Sequence, residues 1–469
     1  MALARKMDLT KGAIPIQLIQ FMIPLVLTFT TQILFHLTDV IVVGRFAKNA
    51  EHAVAAVGSS SPVTSLLTTL FLGMGAGVSV VVSQYMGAKD YKNVSRAVHS
   101  SLVLGLGCGL LILAVSLIFG RTFLELIRVP ETIMDDALGY FYVVLWGMPA
   151  LIVYAFGCAI LRSVGKPNLP MFILTASGMT NVILNIIFVT VFGMEVLGVA
   201  FATIIAQFLS LFLVLRALRN SHGAYRLWFP KLLRLDLPIM RKVLYNGFPA
   251  GVQSSCYSLS NLLVAQANFA FGAGAIAATT IINFFSGGII NSVATAQHQA
   301  AITFTGQNVG AKKGKRVLKG FYWNTGYAFL FGITLGSLTY FTMDTWLPWC
   351  IKNPGKEVLE YSHIRAALQL LPGMLFMVLD VFSGTLRGLG YSVAPTAISI
   401  FGICGFRVLW VFCIFPCFPK NYWALIANYP ISYFITLTAL GVTLYWVMPK
   451  YLQENLQLKK RSAGRIAIK

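Results

Sequence analysis

Two acidic side chains stand inside long apolar stretches of this sequence, where chemistry rather than solvation is the expected reason for a charge. Asp39 lies toward the end of the first stretch, and Asp380 lies within the tenth. An ionisable group in hydrocarbon is costly, so each carboxyl is a functional candidate by default. Loss of water favours the neutral form of a carboxyl group and a nearby cation favours the charged form. Such a group can therefore exchange a proton for a sodium ion.

Amide and hydroxyl groups in two other apolar stretches could act with Asp39. Asn181 and Asn185 are four residues apart in the fifth stretch, on one face of a helix, and Thr203 lies in the sixth. Their oxygens could bind a hard cation, with Asp39 and Asn181 as candidate sodium ligands. The amides could equally join helices, which is the usual role of polar residues in membranes. His36, one turn before Asp39, could act on the carboxylate electrostatically or serve as a packing histidine.

The seventh and eighth stretches are crowded with uncharged polar residues. So many amides and hydroxyls are too costly to face lipid, so we expect them to line a wet cavity in which Asp380 attracts a cation. A structural alternative makes Asp380 a buried acid paired with an arginine, for which Arg407 is a better candidate than Arg365. The candidate cavity residues are His36, Gln253, Tyr257, Asn283 and Asp380.

The composition predicts that lipid surrounds most of the elements that position these residues. Of the 469 residues 57% are hydrophobic and only 11% are charged, and the mean hydropathy is +0.75. Soluble domains carry about 25% charged residues, so soluble enzymes, disordered proteins and nucleic-acid binders are excluded. The seven cysteines fall mostly in apolar runs without metal-like spacing and are expected to be core residues.

Apolar stretches long enough to span a bilayer occur at twelve places, which predicts an all-α polytopic membrane protein. They lie near residues 16–43, 53–82, 94–119, 138–161, 168–192, 196–215, 243–270, 275–306, 317–341, 360–386, 393–416 and 422–448.

The two halves of the chain resemble each other. The segment from Gln84 to Val94 matches Gln307 to Val317 at an offset of 223. The motif Leu161-Arg162 with Gly165 matches Leu386-Arg387 with Gly390 at an offset of 225, as Pro24 matches Pro249. Six spans in each half predict a parallel repeat about a pseudo-two-fold axis along the membrane normal, with a central cavity between the halves. The predicted regions are an N-lobe at 1–218, a basic linker at 219–242, a C-lobe at 243–450 and a tail at 451–469.

The distribution of basic residues predicts the orientation. With the N-terminus inside, the cytoplasmic segments hold 27 Lys and Arg, Arg387 among them as the one basic residue after span 10, and the opposite face holds seven. Basic residues favour the cytoplasmic side, so both termini are expected there. The charge of the linker is expected to contact anionic lipid. No HExxH, GxSxG or P-loop motif occurs, so we expect neither an enzyme nor a cofactor.

Several local motifs together resemble the multidrug and toxic compound extrusion (MATE) transporters over nearly the whole chain. The matching segments are Pro24 with Leu37-Thr38-Asp39 and Gly44, Gly87-Ala88, Leu161 to Gly165, Asn181 with Leu184-Asn185, Gly198 to Thr203, and Ser383 to Gly390. The resemblance is nearest to the prokaryotic branch that includes the DNA-damage-inducible protein F transporters.

The resemblance implies an antiporter in the plasma (inner) membrane that exports cationic or amphipathic compounds in exchange for protons or sodium ions. In that branch a cation site in the N-lobe maps onto Asp39, Asn181, Asn185 and Thr203. Asn185 departs from the branch, which has a carboxylate there, so the coupling ion stays open. In the C-lobe the sodium-coupled exporters have an acid in span 7, where this chain has Gln253 or Tyr257. We expect small-molecule substrates and membrane lipids as partners, no nucleic acid, and a monomer.

Three alternatives compete with the exporter. A flippase for a lipid-linked saccharide, from the same superfamily, would need several basic residues inside spans, and only Arg365 and Arg407 qualify. A membrane-embedded enzyme lacks a motif. A lipid-binding structural protein leaves the polar content of spans 7 and 8 unexplained.

Overall fold

The computed structural model describes residues 6–46, 50–126, 129, 131–232, 234–351, 355–418 and 421–466, and every regular element in these ranges is helical. The α-helices of the first half are α1 (Ile14–Phe46), α2 (Ala50–Gly87), α3 (Tyr91–Leu126), α4 (Glu131–Trp146), α5 (Met148–Ser163), α6 (Asn168–Ile186), α7 (Glu195–Arg219) and α8 (Phe229–Leu232). Those of the second half are α9 (Leu237–Ala267), α10 (Gly272–Phe285), α11 (Asn291–Gly310), α12 (Gly314–Phe341), α13 (Met343–Cys350), α14 (Lys356–Arg365), α15 (Gly373–Gly388), α16 (Val393–Ser399), α17 (Phe406–Leu409), α18 (Tyr422–Ile426) and α19 (Asn428–Ile466).

The helices are long and apolar because a backbone in lipid must satisfy its hydrogen bonds within its own segment. Nine helical ranges in the described part of the chain could cross a membrane, or ten if α4 and α5 form one bent span. The seventh and eighth predicted spans share one such range, Leu237–Gly310. The ninth predicted span falls in α12, which is not one of these nine helical ranges. The prediction of an all-helical polytopic membrane protein is confirmed, whereas the count of twelve stays a prediction.

The fourth predicted span is broken. Its two helices, α4 and α5, meet at Gly147 with a bend of 45°. Pro149 lies in the first turn of α5, where its missing N–H removes no helical hydrogen bond. The eighth predicted span is also interrupted, since a π-helical turn at Ser286–Ile290 separates α10 from α11.

The internal repeat extends to the ends of four helices. Lys89 after α2 and Lys312 after α11 both have positive φ angles, of 57° and 55°. Gly165 after α5 and Gly390 after α15 have φ angles of 86° and 101°. A left-handed residue just after a helix lets the next N–H groups satisfy the last free carbonyls. Both copies of each motif therefore end their helices in the same way.

The described chain forms two compact units. The first contains the described residues within 6–7, 27–86 and 90–255, and its core is built largely from α2 to α7. The second contains 8–26, 87–89 and 256–469. The N-terminal part of α1 therefore belongs to the second unit. The N-terminal part of α9 belongs to the first unit. The predicted division into N-lobe, linker, C-lobe and tail stays a prediction.

Candidate functional site

Four polar residues of the first unit form one continuous chain of hydrogen bonds. Asn185 Nδ2 donates to Asp39 Oδ1 at 2.5 Å and to Asn181 Oδ1 at 3.3 Å. Asn181 Nδ2 donates to Thr203 Oγ1 at 3.4 Å. The structure therefore joins all four predicted cation-coupling residues, although they come from three helices.

Helix packing explains how these residues meet. Asn181 and Asn185 lie one turn apart on α6, so both amides leave the helix on the same face. Helix α7 packs along α6 and brings Thr203 to that face. On the α1 side, Gly178 has no side chain where Phe35 lies, so the two helices approach closely.

The amide of Asn185, in the middle of this series of hydrogen bonds, has a free acceptor. Asn185 is fully buried, and its Oδ1 has no hydrogen-bond partner among the described residues. A buried polar atom left unpaired is unfavourable, and such an atom beside a carboxylate is a ready ligand for a cation or an O–H group. The carboxylate of Asp39 and the amide oxygen of Asn181 lie next to it in the same chain of hydrogen bonds. These are the oxygen donors that hard cations prefer.

The candidate sodium ligands Asp39 and Asn181 are linked through Asn185 and not directly to each other. No group of three or more His, Cys, Asp or Glu suited to a metal ion occurs in the part of the chain that the structure describes. The sodium site stays a prediction, and its donors would be one carboxylate with amide and hydroxyl oxygens.

Sequence reasoning missed Tyr140, which interacts electrostatically with Asp39. Tyr140 lies on α4, before the break at Gly147, and nothing in its local sequence singles it out. His36 lies in α1, but its side chain is outside the described residues, so its predicted role stays a prediction.

In the second unit, Asp380 interacts with an arginine other than the predicted one. Its carboxylate interacts electrostatically with Arg387, which also interacts with Tyr257. Arg387 is a buried residue of α15 and not part of a solvated loop as the count of basic residues assumed. His298 on α11 holds this part of α15 through Nδ1 and the Asp380 carbonyl oxygen at 2.8 Å.

The two arginines first considered for Asp380 bind neutral groups instead. Arg407 donates from Nη1 to Asn261 Oδ1 at 2.8 Å, and its guanidinium lies 4.4 Å from the centre of the Tyr429 ring. Arg365 donates from Nη2 to Asn283 Oδ1 at 3.3 Å. The interpretation of Arg407 as the better partner of Asp380 is therefore wrong, because the amide oxygen of Asn261, the hydroxyl of Ser432 and the Tyr429 ring occupy its guanidinium.

The predicted cavity residues fall into separate groups. Gln253 is a buried residue of the first unit. In the second unit Tyr257 and Asp380 share Arg387, whereas Asn283 belongs with Arg365 and also accepts a hydrogen bond from Gln369. Their common role as a substrate cavity stays a prediction.

Comparison with known proteins identifies the class. A sequence profile of the MatE family matches the chain twice, over residues 24–187 and 249–412. Both matches begin and end at the offset of 225 that relates Gly165 to Gly390, which confirms the duplication. The chain belongs to the MatE family of membrane transporters. The prediction of a multi-pass transporter rather than an enzyme is thereby confirmed.

Individual relatives agree with the family. The chain is 27% identical over 402 residues to the probable multidrug resistance protein YoeA of Bacillus subtilis, covering 83% of this chain and 84% of that protein. It is 23% identical over 248 residues to the multidrug export protein MepA of Staphylococcus aureus, covering 53% and 54% of the two chains. Both names refer to multidrug resistance or export, and the flippase alternative is not favoured.

Solved structures match the fold over almost the whole chain. An outward-facing multidrug resistance MATE family transporter of the MOP superfamily superposes with a TM-score of 0.83 at 18% identity, covering 97% of this chain and 99% of that one. The Vibrio cholerae MATE transporter VcmN superposes with a TM-score of 0.81, also at 18% identity, covering 95% and 97%. At these identities the likeness defines the fold.

Proposed function

We propose that this protein is a secondary active multidrug exporter of the plasma membrane, with both termini in the cytoplasm. It exports cationic or amphipathic compounds in exchange for protons or sodium ions. The names of its relatives YoeA and MepA, which refer to multidrug resistance and export, support the substrate class. The excess of basic residues in the predicted cytoplasmic segments supports the orientation.

The observation that carries the antiport mechanism is the chain of hydrogen bonds from Asp39 to Thr203. A half-buried carboxylate among amides, without a cationic partner in this set of hydrogen bonds, gains free energy when it binds a proton or a small cation. A purely structural contact between helices would not need the ionisable member. Asp39 is therefore the coupling residue of the proposed mechanism.

In this mechanism, the hydrogen bonding of Asn185 depends on whether the Asp39 carboxyl group is charged or has bound an ion. When Asp39 is charged, the Nδ2 group of Asn185 donates to it, as in the structure. When the carboxyl carries a proton or contacts a sodium ion, an oxygen at that position becomes the better partner. Rotation of the amide by half a turn brings the unpaired Oδ1 there. Protonation thus reverses the hydrogen bond that links α6 to α1, and sodium binding replaces it with contacts from the carboxylate and the amide oxygen to the ion.

Reversal of this bond can drive transport only if the ion binds the outward-facing and inward-facing states with different affinity. We propose that ion binding from the outside favours release of the drug outward, and that the ion-loaded protein then returns to the inward-facing state, where the ion leaves to the cytoplasm. In the second unit, Asp380 contributes a negative charge for which cationic substrates compete with Arg387.

Efflux from proteoliposomes under separately imposed gradients tests this function. Purified protein would be reconstituted with a fluorescent cationic dye, and a pH gradient or a sodium gradient applied in parallel samples. Dye movement that follows one gradient and stops when an ionophore collapses it supports the antiporter and names its ion. Dye movement that neither gradient changes would contradict it.

A further inference from the structure

A basic cavity of about 1120 Å³ lies within the first unit. Its walls come from the start of α3, from the segment that follows α7 and from the residues just before α9. These three helices are among those long and apolar enough to cross a membrane. The cavity therefore lies at the level where the helices leave the hydrocarbon.

Positive charge dominates this cavity. Its lining includes one acid, Asp236, and six basic residues, which are Lys6, Lys92, Arg96, Arg226, Lys231 and Arg234. Asp236 already has partners in the structure. Its Oδ2 lies 3.4 Å from Arg96 Nη1, and its Oδ1 accepts a hydrogen bond from the backbone N–H of Ile239 at the start of α9. The remaining cations face a space large enough to hold an anionic ligand.

A buried histidine fixes the shape of the wall. His99 on α3 is 2% exposed, and its Nε2 accepts the backbone N–H of Trp228 at 3.0 Å. Its Nδ1 lies 2.6 Å from the carbonyl oxygen of Ser95 and donates to it. The bond from Trp228 holds the segment after α7 against α3, and the bond to Ser95 within α3 fixes the orientation of the ring. Trp228, which is exposed and has Arg226 above its ring at 5.9 Å, lies in the wall of the cavity.

We propose that this cavity binds the phosphate groups of an anionic phospholipid headgroup. Arginine and lysine are the side chains that recognise phosphate, and tryptophan is typical of the membrane–water interface. Basic pockets between transmembrane helices at the cytoplasmic surface bind such headgroups. The volume and the number of cations suit a headgroup with two phosphodiesters better than one with a single phosphate. The proposal does not depend on the transported compound or the coupling ion.

Lipid retention measured by native mass spectrometry of the purified full-length protein tests the proposal. The protein would be titrated with a cardiolipin, a phosphatidylglycerol and a phosphatidylcholine, and separately with inorganic phosphate. The test variant combines Arg226→Gln, Lys231→Gln and Arg234→Gln. The matched control combines Lys315→Gln, Lys319→Gln and Lys450→Gln, which removes the same charge from exposed positions outside the cavity.

We expect cardiolipin to bind more tightly than phosphatidylglycerol and phosphatidylcholine to bind least. The test variant is expected to weaken cardiolipin binding about 100-fold, because each basic residue near an anionic lipid contributes about fivefold. The control should change it less than about threefold. A charge-conserving variant (Arg226→Lys, Lys231→Arg, Arg234→Lys) should retain most of the binding.

Two results would overturn the proposal. Equal losses of cardiolipin binding in the test and control variants would mean that lipid binding depends only on the overall charge of the protein. Saturable binding of inorganic phosphate that displaces no lipid would assign the cavity to a free anion. If the test variant is not monodisperse, two other measurements test the proposal. These are cardiolipin binding by the charge-conserving variant and the competition between phosphate and cardiolipin on the wild type.

Discussion

Asn185 donates a hydrogen bond of 2.5 Å from Nδ2 to Asp39 Oδ1, and this bond joins residues that are 146 positions apart in the chain. The same amide is buried, and its oxygen beside the carboxylate has no hydrogen-bond partner in the part of the chain that the structure describes. A group that donates in one ionisation state and can accept in the other is suited to sense whether the carboxyl is occupied. The position at which the chain departs from the branch that its motifs resemble thus lies at the centre of the site.

Replacing Asn185 with leucine tests that sensing role. Asn185→Leu keeps the approximate volume but removes both the donor and the acceptor. A hydrogen bond to a charged group contributes about 1.5–3 kcal/mol, so gradient-driven efflux should fall about 10- to 100-fold. Thr180→Val on the same helix is the control, because the Thr180 hydroxyl bonds the carbonyl oxygen of Ala176 within that helix. Equal activity in the two variants would argue against the role of Asn185.

The far end of the hydrogen-bond chain should matter less. Thr203→Val removes the acceptor of the 3.4 Å bond from Asn181, whereas Thr203→Ser keeps it. Loss of a neutral hydrogen bond costs about 1 kcal/mol, so efflux should fall about fivefold in the valine variant and little in the serine variant. Initial efflux rates at matched protein density provide the comparison. A serine variant as impaired as the valine variant would mean that shape and not the hydroxyl is required.

How far the site could be predicted depends on where each signal lies. Asn181 and Asn185 have helical spacing, and Asp39 is an acid in an apolar stretch, so local patterns and a family resemblance identify them. Tyr140 has no such signal, since its proximity to Asp39 comes from the packing of α4. Arg387 lies in the repeated motif before Gly390, yet it was counted with the loops because span boundaries cannot be located to within a few residues from hydropathy.

The fold could be predicted to a similar depth. Continuous apolar stretches predict helices in lipid, and matching motifs predict the duplication. The break at Gly147 was not predicted because the apolar stretch runs through it, and only Pro149 marks a possible helix start. The use of Lys89 and Lys312 as left-handed helix ends also needed the structure, since lysine rarely adopts that conformation.

Two glycines with positive φ should respond differently to alanine. Gly193 has a φ of 63° with open space where a Cβ would stand, so Gly193→Ala should cost about 1–2 kcal/mol from the backbone alone. Gly165 has a φ of 86°, and a Cβ there would overlap the carbonyl oxygen of Met7. Gly165→Ala should therefore cost about 3 kcal/mol or more. Thermal unfolding of the detergent-purified variants shows which substitution lowers the stability more. Equal losses of stability would contradict the close contact with Met7.

Arg316 should hold the segment before α1 in place within the second unit. Its guanidinium donates to the carbonyl oxygens of Leu9, Lys11 and Gly12 at 3.1, 2.9 and 2.7 Å. Arg316→Leu removes these charge-assisted bonds, so trypsin should cleave after Lys11 about tenfold faster or more.

Lys315→Leu is the control for this prediction, because it removes the same charge at an exposed neighbouring position. Cleavage rates that rise equally in both variants would mean that charge and not the three hydrogen bonds holds the segment.

The central claim is that Asp39 couples ion binding to export, and Asp39→Asn tests it most directly. The amide resembles a permanently neutral carboxyl group in size and hydrogen bonding but can neither bind nor release a proton. Dye efflux would be measured in proteoliposomes of wild type and variant under the gradient that drives the wild type, with thermal unfolding measured on the same preparations. The account predicts a variant that unfolds at a similar temperature and shows no gradient-driven efflux. A folded Asp39→Asn variant that exports the dye at the wild-type rate would contradict it.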